Sequence, residues 1–397
     1  MLKQKFIWKS ILIFSVVIFG NLLGQVTPEI MLGARGVMSV NVDANSSKTT
    51  SAINDFSDSG ILLGFREKLY SNFRGQFVMG MQFPDADSDL GQIFFHQTFL
   101  KLEDKSNIIK LGRSRVASSL IEFPTLRDDD ALHFTDILNP FSAGINSEDN
   151  QYGNVFEYTH IFGQRYNLKI HGEHFTKSQL LPGTTERDFS LNAVGVSFIY
   201  QVPASQIWER PIIQQVGIGL NNFLTDRTGF IREYDKMLKN ISFSAIINVL
   251  RDPVYFMDLR SQVIFNKGFE EVTSISDNFT MSNAASVSSF TSLRYLYRKL
   301  ERPSLQVSIS AGYKKFTDLN NDTKQLQFIF NTFYRLGASF DVGIQMQYSK
   351  NDGDLKALIG NSETRFQVAL VYSIEQLWNS QFDDRGSLLN LEHGYIP

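Results

Sequence analysis

Hydrophobic and polar residues alternate with a period of two along most of this chain. Leu305, Val307, Ile309, Ala311 and Tyr313 fall on one face, with Gln306, Ser308, Ser310, Gly312 and Lys314 on the other. Phe340, Val342, Ile344, Met346 and Tyr348 oppose Asp341, Gly343, Gln345 and Gln347 in the same way. Phe73, Phe77, Met79 and Met81 oppose Arg74, Gln76, Val78, Gly80 and Gln82, and Ile241, Phe243, Ala245, Ile247 and Val249 repeat the theme. Successive side chains of a strand point to opposite faces, so each segment has one apolar and one polar face. An amphipathic helix would set its apolar residues three and four apart, which these segments do not do.

The alternation parses into strands near residues 30–43, 58–69, 71–84, 92–104, 106–115, 150–162, 164–176 and 187–201. It continues near 210–225, 236–251, 253–268, 283–300, 302–317, 324–336, 338–350 and 364–378. About sixteen strands result, an even number, as a closed bacterial barrel requires. Tyr70, Asp104-Lys105, Gly163-Gln164, Asp252-Pro253, Glu301-Arg302 and Gly337 mark short turns. Longer polar loops lie between them, among them Ala44–Phe56, Lys177–Arg187, Glu270–Asn283 and Asn351–Glu363. One rim of short turns and one of long loops fits an outer-membrane barrel with both termini in the periplasm. A soluble exported sandwich would not keep an apolar face on nearly every strand. The predicted fold class is all-β: a transmembrane antiparallel β-barrel over residues 25–378.

Composition sharpens this picture at three points. Charged residues make up 20% of the 397, too many for a bundle of membrane helices, while aromatics reach 13% with 34 Phe and 14 Tyr. A chain polar on average yet rich in aromatics suits a fold with one face in water and one in lipid. The absence of cysteine excludes thiol nucleophiles, disulfides and Cys-ligated metal sites. A net charge of −3 gives no broad basic surface for nucleic acid. At the N-terminus, Lys3, Lys5 and Lys9 precede an apolar run from Ile11 to Gly20 that only Ser15 interrupts. That run is shorter than the ~20 residues of a spanning helix, so residues 1–24 are expected to be a secretory signal cleaved after Gly24.

Several segments resemble the general Gram-negative porin family. Phe95-His96-Gln97-Thr98-Phe99-Leu100, Ile109-Lys110-Leu111-Gly112-Arg113 and, after a long gap, Tyr152-Gly153-Asn154-Val155 are similar to its fourth to sixth strands. Leu63-Gly64-Phe65-Arg66-Glu67 and Phe73-Arg74-Gly75-Gln76-Phe77 resemble its second and third strands in order and spacing. The resemblance covers residues 30–160, and beyond them only the strand count. It implies an outer-membrane barrel of sixteen strands, usually a homotrimer, with a water-filled lumen for small hydrophilic solutes and ions. It also implies that the long third external loop folds into the lumen and narrows it.

That loop is Arg115–Gln151, which carries Glu122, Asp128, Asp129 and Asp130 with Asp136, Glu148 and Asp149. Ile121-Glu122-Phe123-Pro124 resembles the family's Pro-Glu-Phe-Gly-Gly constriction turn through Glu122-Phe123 alone. The family sets a basic cluster on the wall across the pore. Alternation turns Arg35, Arg66 and Arg74 inward, and Arg113 stands where the family's Leu-Gly-Arg arginine lies. Parity with Ile109 and Leu111 would turn Arg113 to lipid unless a bulge or rim position intervenes. Leu62 departs from the basic residue that many relatives carry. An acidic loop facing a basic wall would set a transverse field in a narrow gap, favouring dipolar solutes over apolar ones. The plainer reading of the same residues is solvated charge without selectivity.

Other chemistry is sparse. His171 and His174 face opposite sides of a strand and cannot chelate one metal. Gly217-Ile218-Gly219 lies in a strand and is no dinucleotide loop, and nothing in their spacing links His133 with Ser142. No catalytic group, cofactor or metal is therefore expected. Two alternatives to a general porin stay open. Inward Lys169, Arg260, Arg294, Arg298 and Lys314 would suit an anion- or oligosaccharide-selective pore. The other alternative is a structural or secretion-accessory barrel with a closed lumen, prompted by residues 379–397, an apolar-rich tail beyond the last strand. The tail is expected in the periplasm, packed under the barrel or against a periplasmic partner.

Overall fold

A computed structural model describes residues 27–43, 49–55, 60–70, 73–82, 94–115, 152–179, 187–202, 211–226, 238–252, 254–270, 284–299, 302–317, 322–336, 340–353, 356 and 361–378. Residues 1–24 (expected to be a signal segment), the long loop 116–151 and residues 379–397 lie outside them. The described chain is almost entirely antiparallel β-structure. Its strands are β1 (Thr27–Asp43), β2 (Thr49–Asp55), β3 (Gly60–Tyr70), β4 (Phe73–Gln82), β5 (Phe94–Glu103) and β6 (Asn107–Arg115). There follow β7 (Tyr152–Phe162), β8 (Tyr166–Gln179), β9 (Arg187–Gln201), β10 (Ile213–Asp226), β11 (Leu238–Arg251) and β12 (Tyr255–Glu270). The last are β13 (Ala284–Lys299), β14 (Arg302–Phe316), β15 (Lys324–Arg335), β16 (Phe340–Asp352) and β17 (Ser362–Trp378).

All seventeen belong to one sheet whose neighbours follow sequence order, and β17 pairs back to β1 from Ile30↔Trp378 to Asp43↔Arg365. The sheet is closed. The seventeen strands fill sixteen places in the ring, because β2 and β3 lie end to end along β1. β2 pairs with Val37–Val42 and β3 with Thr27–Gly33. Sixteen places match the count expected from alternation, but β2 corrects the reading of Ala44–Phe56 as a loop. Thr49-Thr50-Ser51-Ala52-Ile53-Asn54-Asp55 carries little apolar contrast, so its pairing with β1 was invisible to a hydropathy pattern.

Short connections gather at the rim where β1 begins and β17 ends. Side chains hold two of these turns. Asp104 accepts from the backbone of Ser106 and Asn107, each at 2.7 Å, and Asp252 accepts from Val254 and Tyr255 at 2.8 and 3.1 Å. Hydrogen bonds from Ser106 and Asn107 hold the Asp104 carboxyl below its ordinary value of 3.8. The connection from Gln201 to Ile213 is the long exception at this rim.

Outward positions are apolar and exposed, including Phe77, Leu100, Phe156, Ile218, Phe243, Ile309, Phe330 and Met346. Of the outward residues expected from alternation, Ile309, Phe340 and Ile344 are exposed, and Leu305, Val307 and Val342 are half-buried on the same face. Near the short-turn rim, aromatic rings meet across strands: Tyr166 with Tyr200 at 5.3 Å and Tyr255 stacked on Tyr297 at 5.5 Å. Amphipathic rings at that height are the interfacial girdle of a membrane barrel.

The inward face is less uniform than alternation suggests. Phe256, Ile264, Phe290, Leu296, Phe316, Ile329 and Phe333 are buried there among serines, glutamines and arginines, and Phe256 packs on Leu296.

Two outcomes follow. Ile309→Arg or Phe330→Arg should cost about 2–4 kcal/mol of folding free energy in lipid vesicles, measured by denaturant titration; a loss near zero would mean this face is not in lipid. Asp104→Ala should speed hydrogen exchange in its turn at neutral pH. A lowered carboxyl value means the effect is present above the unfolded pKa and vanishes as pH falls through the folded one.

Candidate functional site: the inner wall

Antiparallel pairing aligns inward residues of successive strands into rows, so register shows which side chains share a height on the wall. One row runs Asn248, Asp258, Arg294, Ser308, Asn331 and Gln345 across β11–β16. It is polar throughout, and Ser308 donates to Asn331 within it. The next row carries Arg260, Ser292, Ser310, Ile329 and Gln347, with the Ser310 hydroxyl 2.9 Å from that of Ser292.

Asp258 joins these rows. Its carboxylate accepts from Arg294 Nε at 3.1 Å and from Arg294 Nη2, and Arg260 Nε approaches at 3.4 Å. Asp258 and Arg294 are both 0% exposed. A buried carboxylate is tolerated only when paired and hydrogen-bonded, and the two guanidinium groups meet that need. Arg298 and Lys314 are buried on the same wall, with Lys314 Nζ 5.5 Å from the Phe316 ring. The described inward residues of β12–β14 thus include four cations and one acid, and of the four Arg260 and Arg294 contact it.

A second charged row crosses β3 to β10. It aligns Arg66, Gln76, Lys101, Lys110, Glu157, His171, Gly195 and Asn221. Lys101 pairs with Glu103 at 2.8 Å, Lys169 reaches Glu157 at 3.8 Å, and Lys110 Nζ lies 4.7 Å from the Phe99 ring.

Register sets Arg66 diagonally next to Arg74, because Arg66 pairs with Gln76 two residues along β4, and leaves Arg35 eight residues along β1 from Arg66's partner Thr27. Arg66 takes its place in the β3–β10 row, while Arg35 pairs with Ser373 across the closing seam; neither side chain lies within the described part. Arg74 is exposed, one residue into β4 and opposite Glu103, at the short-turn rim. Arg113 pairs with Thr98 and Asn154, and neither ladder of β6 shifts register there. The neighbouring Gly112 instead takes φ 129°, where a Cβ would meet the Thr98 carbonyl and Phe99 backbone. The bulge that would have turned Arg113 inward is thus absent from these ladders. Glu122, Asp128, Asp129 and Asp130 lie outside the described residues.

The alternative set fares differently. Arg260, Arg294, Arg298 and Lys314 are inward and buried, and Lys169 is inward and half-buried. His171 is buried while His174 is exposed, on opposite faces as their spacing required. Missed in the sequence were Asp258, Lys101 and Lys110. The signal was there, since Lys101/Glu103, His171/Glu173 and Asp258/Arg260 are charged pairs two residues apart, which a strand puts on one face.

Solved structures share this architecture. The outer membrane channel DcaP of Acinetobacter baumannii aligns with a TM-score of 0.58 at 13% identity, covering 89% of this chain and 98% of that one. An anion-selective porin from Comamonas acidovorans aligns at 0.54 and 14% identity, covering 88% and 100%. OprB of Pseudomonas putida aligns at 0.53 and 7% identity, covering 88% and 94%. The fold is that of the outer-membrane porins. No family model matches the chain, and no curated protein matches it by sequence. The resemblance read from the segments between residues 30 and 160 therefore holds for the fold.

Asp258→Asn should lower stability by about 3–5 kcal/mol, because it leaves two buried guanidinium groups without their shared anion. Urea titration of the refolded barrel checks this, and a change below 1 kcal/mol would mean Asp258 is not the keystone of this wall.

Proposed function

We propose that this chain is an outer-membrane porin that lets small hydrophilic solutes and ions diffuse across, with anions favoured along β12–β14. The observation that carries the reading is four buried cations, Arg260, Arg294, Arg298 and Lys314, spread along the inner face of β12–β14, where Asp258 is the one described acid, inside a closed barrel whose outer face is apolar. Fixed cations on a low-dielectric wall raise the local anion concentration and lower the barrier for anions. The burial of this wall and its interleaved Phe and Ile favour a narrow path over a wide one.

Glu122, Asp128, Asp129 and Asp130 belong to the proposal as the acidic counterpart. Their loop leaves from β6 and returns at β7, opposite β14 and β15 in the ring. Arg35 and Arg66 extend the basic lining about a quarter of the ring from that loop, facing it across the lumen, and Arg74 serves at the short-turn mouth. A homotrimer, a cleaved 1–24 and a periplasmic 379–397 complete the reading.

Planar-bilayer recording of the purified protein tests it. Stepwise conductance with a reversal potential favouring anions in a salt gradient is the expected result. Arg298→Gln with Lys314→Gln should lower the anion-to-cation permeability ratio roughly twofold or more, and Asp128→Asn with Asp130→Asn should raise it. A folded barrel that inserts without conducting would instead favour the accessory barrel with a closed lumen.

A further inference from the structure

On the inner wall of β8–β10, away from the arginines, three polar side chains converge over a bare stretch of backbone. His171 pairs in register with Gly195, and Gly195 with Asn221. Because Gly195 has no side chain, the His171 ring and the Asn221 amide reach over it from either side. A Cβ there would collide with both Asn221 Oδ1 and His171 Nε2, so these two atoms point at the same space. Glu173 stands two residues along β8 on the same face, its Oε1 3.8 Å from His171 Nε2.

All three are more than nine-tenths buried: His171 2%, Glu173 4% and Asn221 4% exposed. The His171 ring and the Asn221 amide interact with each other, yet neither ring nitrogen of His171 nor Asn221 Oδ1 makes a well-formed hydrogen bond. Buried polar atoms are paired in the great majority of cases, so two orphans aimed at one point call for a missing partner. The 3.8 Å between Nε2 and Oε1 is too long for a hydrogen bond. It suits two ligands of one ion, since metal–nitrogen and metal–oxygen bonds of about 2.0–2.2 Å set ligand atoms some 3–4 Å apart.

We propose that His171, Glu173 and Asn221 form a divalent transition-metal site on the inner wall. An imidazole with a carboxylate and an amide oxygen is a borderline donor set, fitting Zn²⁺ or its first-row neighbours better than Mg²⁺ or Ca²⁺. The carboxylate neutralises half of the ion's charge, and Gly195 supplies the room. His174, on the outer face of the same strand, takes no part. The site stands independently of the porin reading, because it needs only the folded barrel.

The test uses the full-length protein in detergent, stripped with chelator, dialysed and titrated with zinc chloride by calorimetry. One Zn²⁺ per chain is expected. His171→Ala should weaken it at least tenfold and Gly195→Ala should abolish it, while His174→Ala leaves it unchanged. Heat-shifted migration on gels confirms that each variant keeps the barrel. A stripped wild-type protein that takes up no Zn²⁺ would overturn the proposal, and so would equal binding by wild type and a folded His171→Ala.

Discussion

Every part of this structure depends on the need to pair backbone N–H and C=O groups where no water can reach them. An open sheet in hydrocarbon would leave two edges unsatisfied at several kcal/mol per group, so the sheet must close. Pairing of β17 with β1 over fourteen residues meets that constraint. Once the ring is closed, strand alternation leaves no choice about faces. Apolar side chains such as Ile309 and Phe330 go outward, and Arg294 and Gln345 go inward. The charged wall is thus a by-product of closure before it is a functional device.

That inheritance explains how a guanidinium can be wholly buried on a face meant for water. Arg294 is tolerable because Asp258 meets it side-on, and Arg260, two residues further along the same strand, shares the carboxylate. Phe256 and Leu296, in the row next to it, pack on each other, so part of the inner wall behaves like the core of a soluble protein. This is a stiff wall. Its cations are held at fixed positions by packing and by Asp258, which is the condition for an electrostatic preference to survive thermal motion.

Strand positions and faces were legible because period-two contrast is strong wherever one side meets lipid. Ile241–Val249 and Phe340–Tyr348 could hardly be read otherwise. β2 was not legible, since Thr49–Asp55 has almost no contrast to read. The candidate site was half legible. Alternation placed Arg260, Arg294, Arg298 and Lys314 inward, but it says nothing about which strands share a height. That depends on register, a long-range property fixed by pairing across the whole ring. Register sets Arg35 apart from Arg66 and Arg74, and it joins Asp258 to Arg294, thirty-six residues apart. The orphaned atoms over Gly195 were likewise hidden, because three strands must align before the absence of one Cβ acquires meaning.

The split between β2 and β3 bears on how the barrel comes together. Most strands have a hairpin partner close in sequence, so their pairing closes a short loop and is quick. The contact between β1 and β17 must instead wait until the two ends of the chain meet, and it is the last to form on entropic grounds. β1 waits with its other edge held by two short strands in place of one long one, and residues 34–36 face the gap between them. Glycine sits at both sides of that gap, at Gly33 and Gly36 in β1 and at Gly60 where β3 begins. A first strand held by two short partners can bend at the gap to meet an incoming edge. The seam thus carries a break in its second ladder at the place where the chain's beginning must find its end.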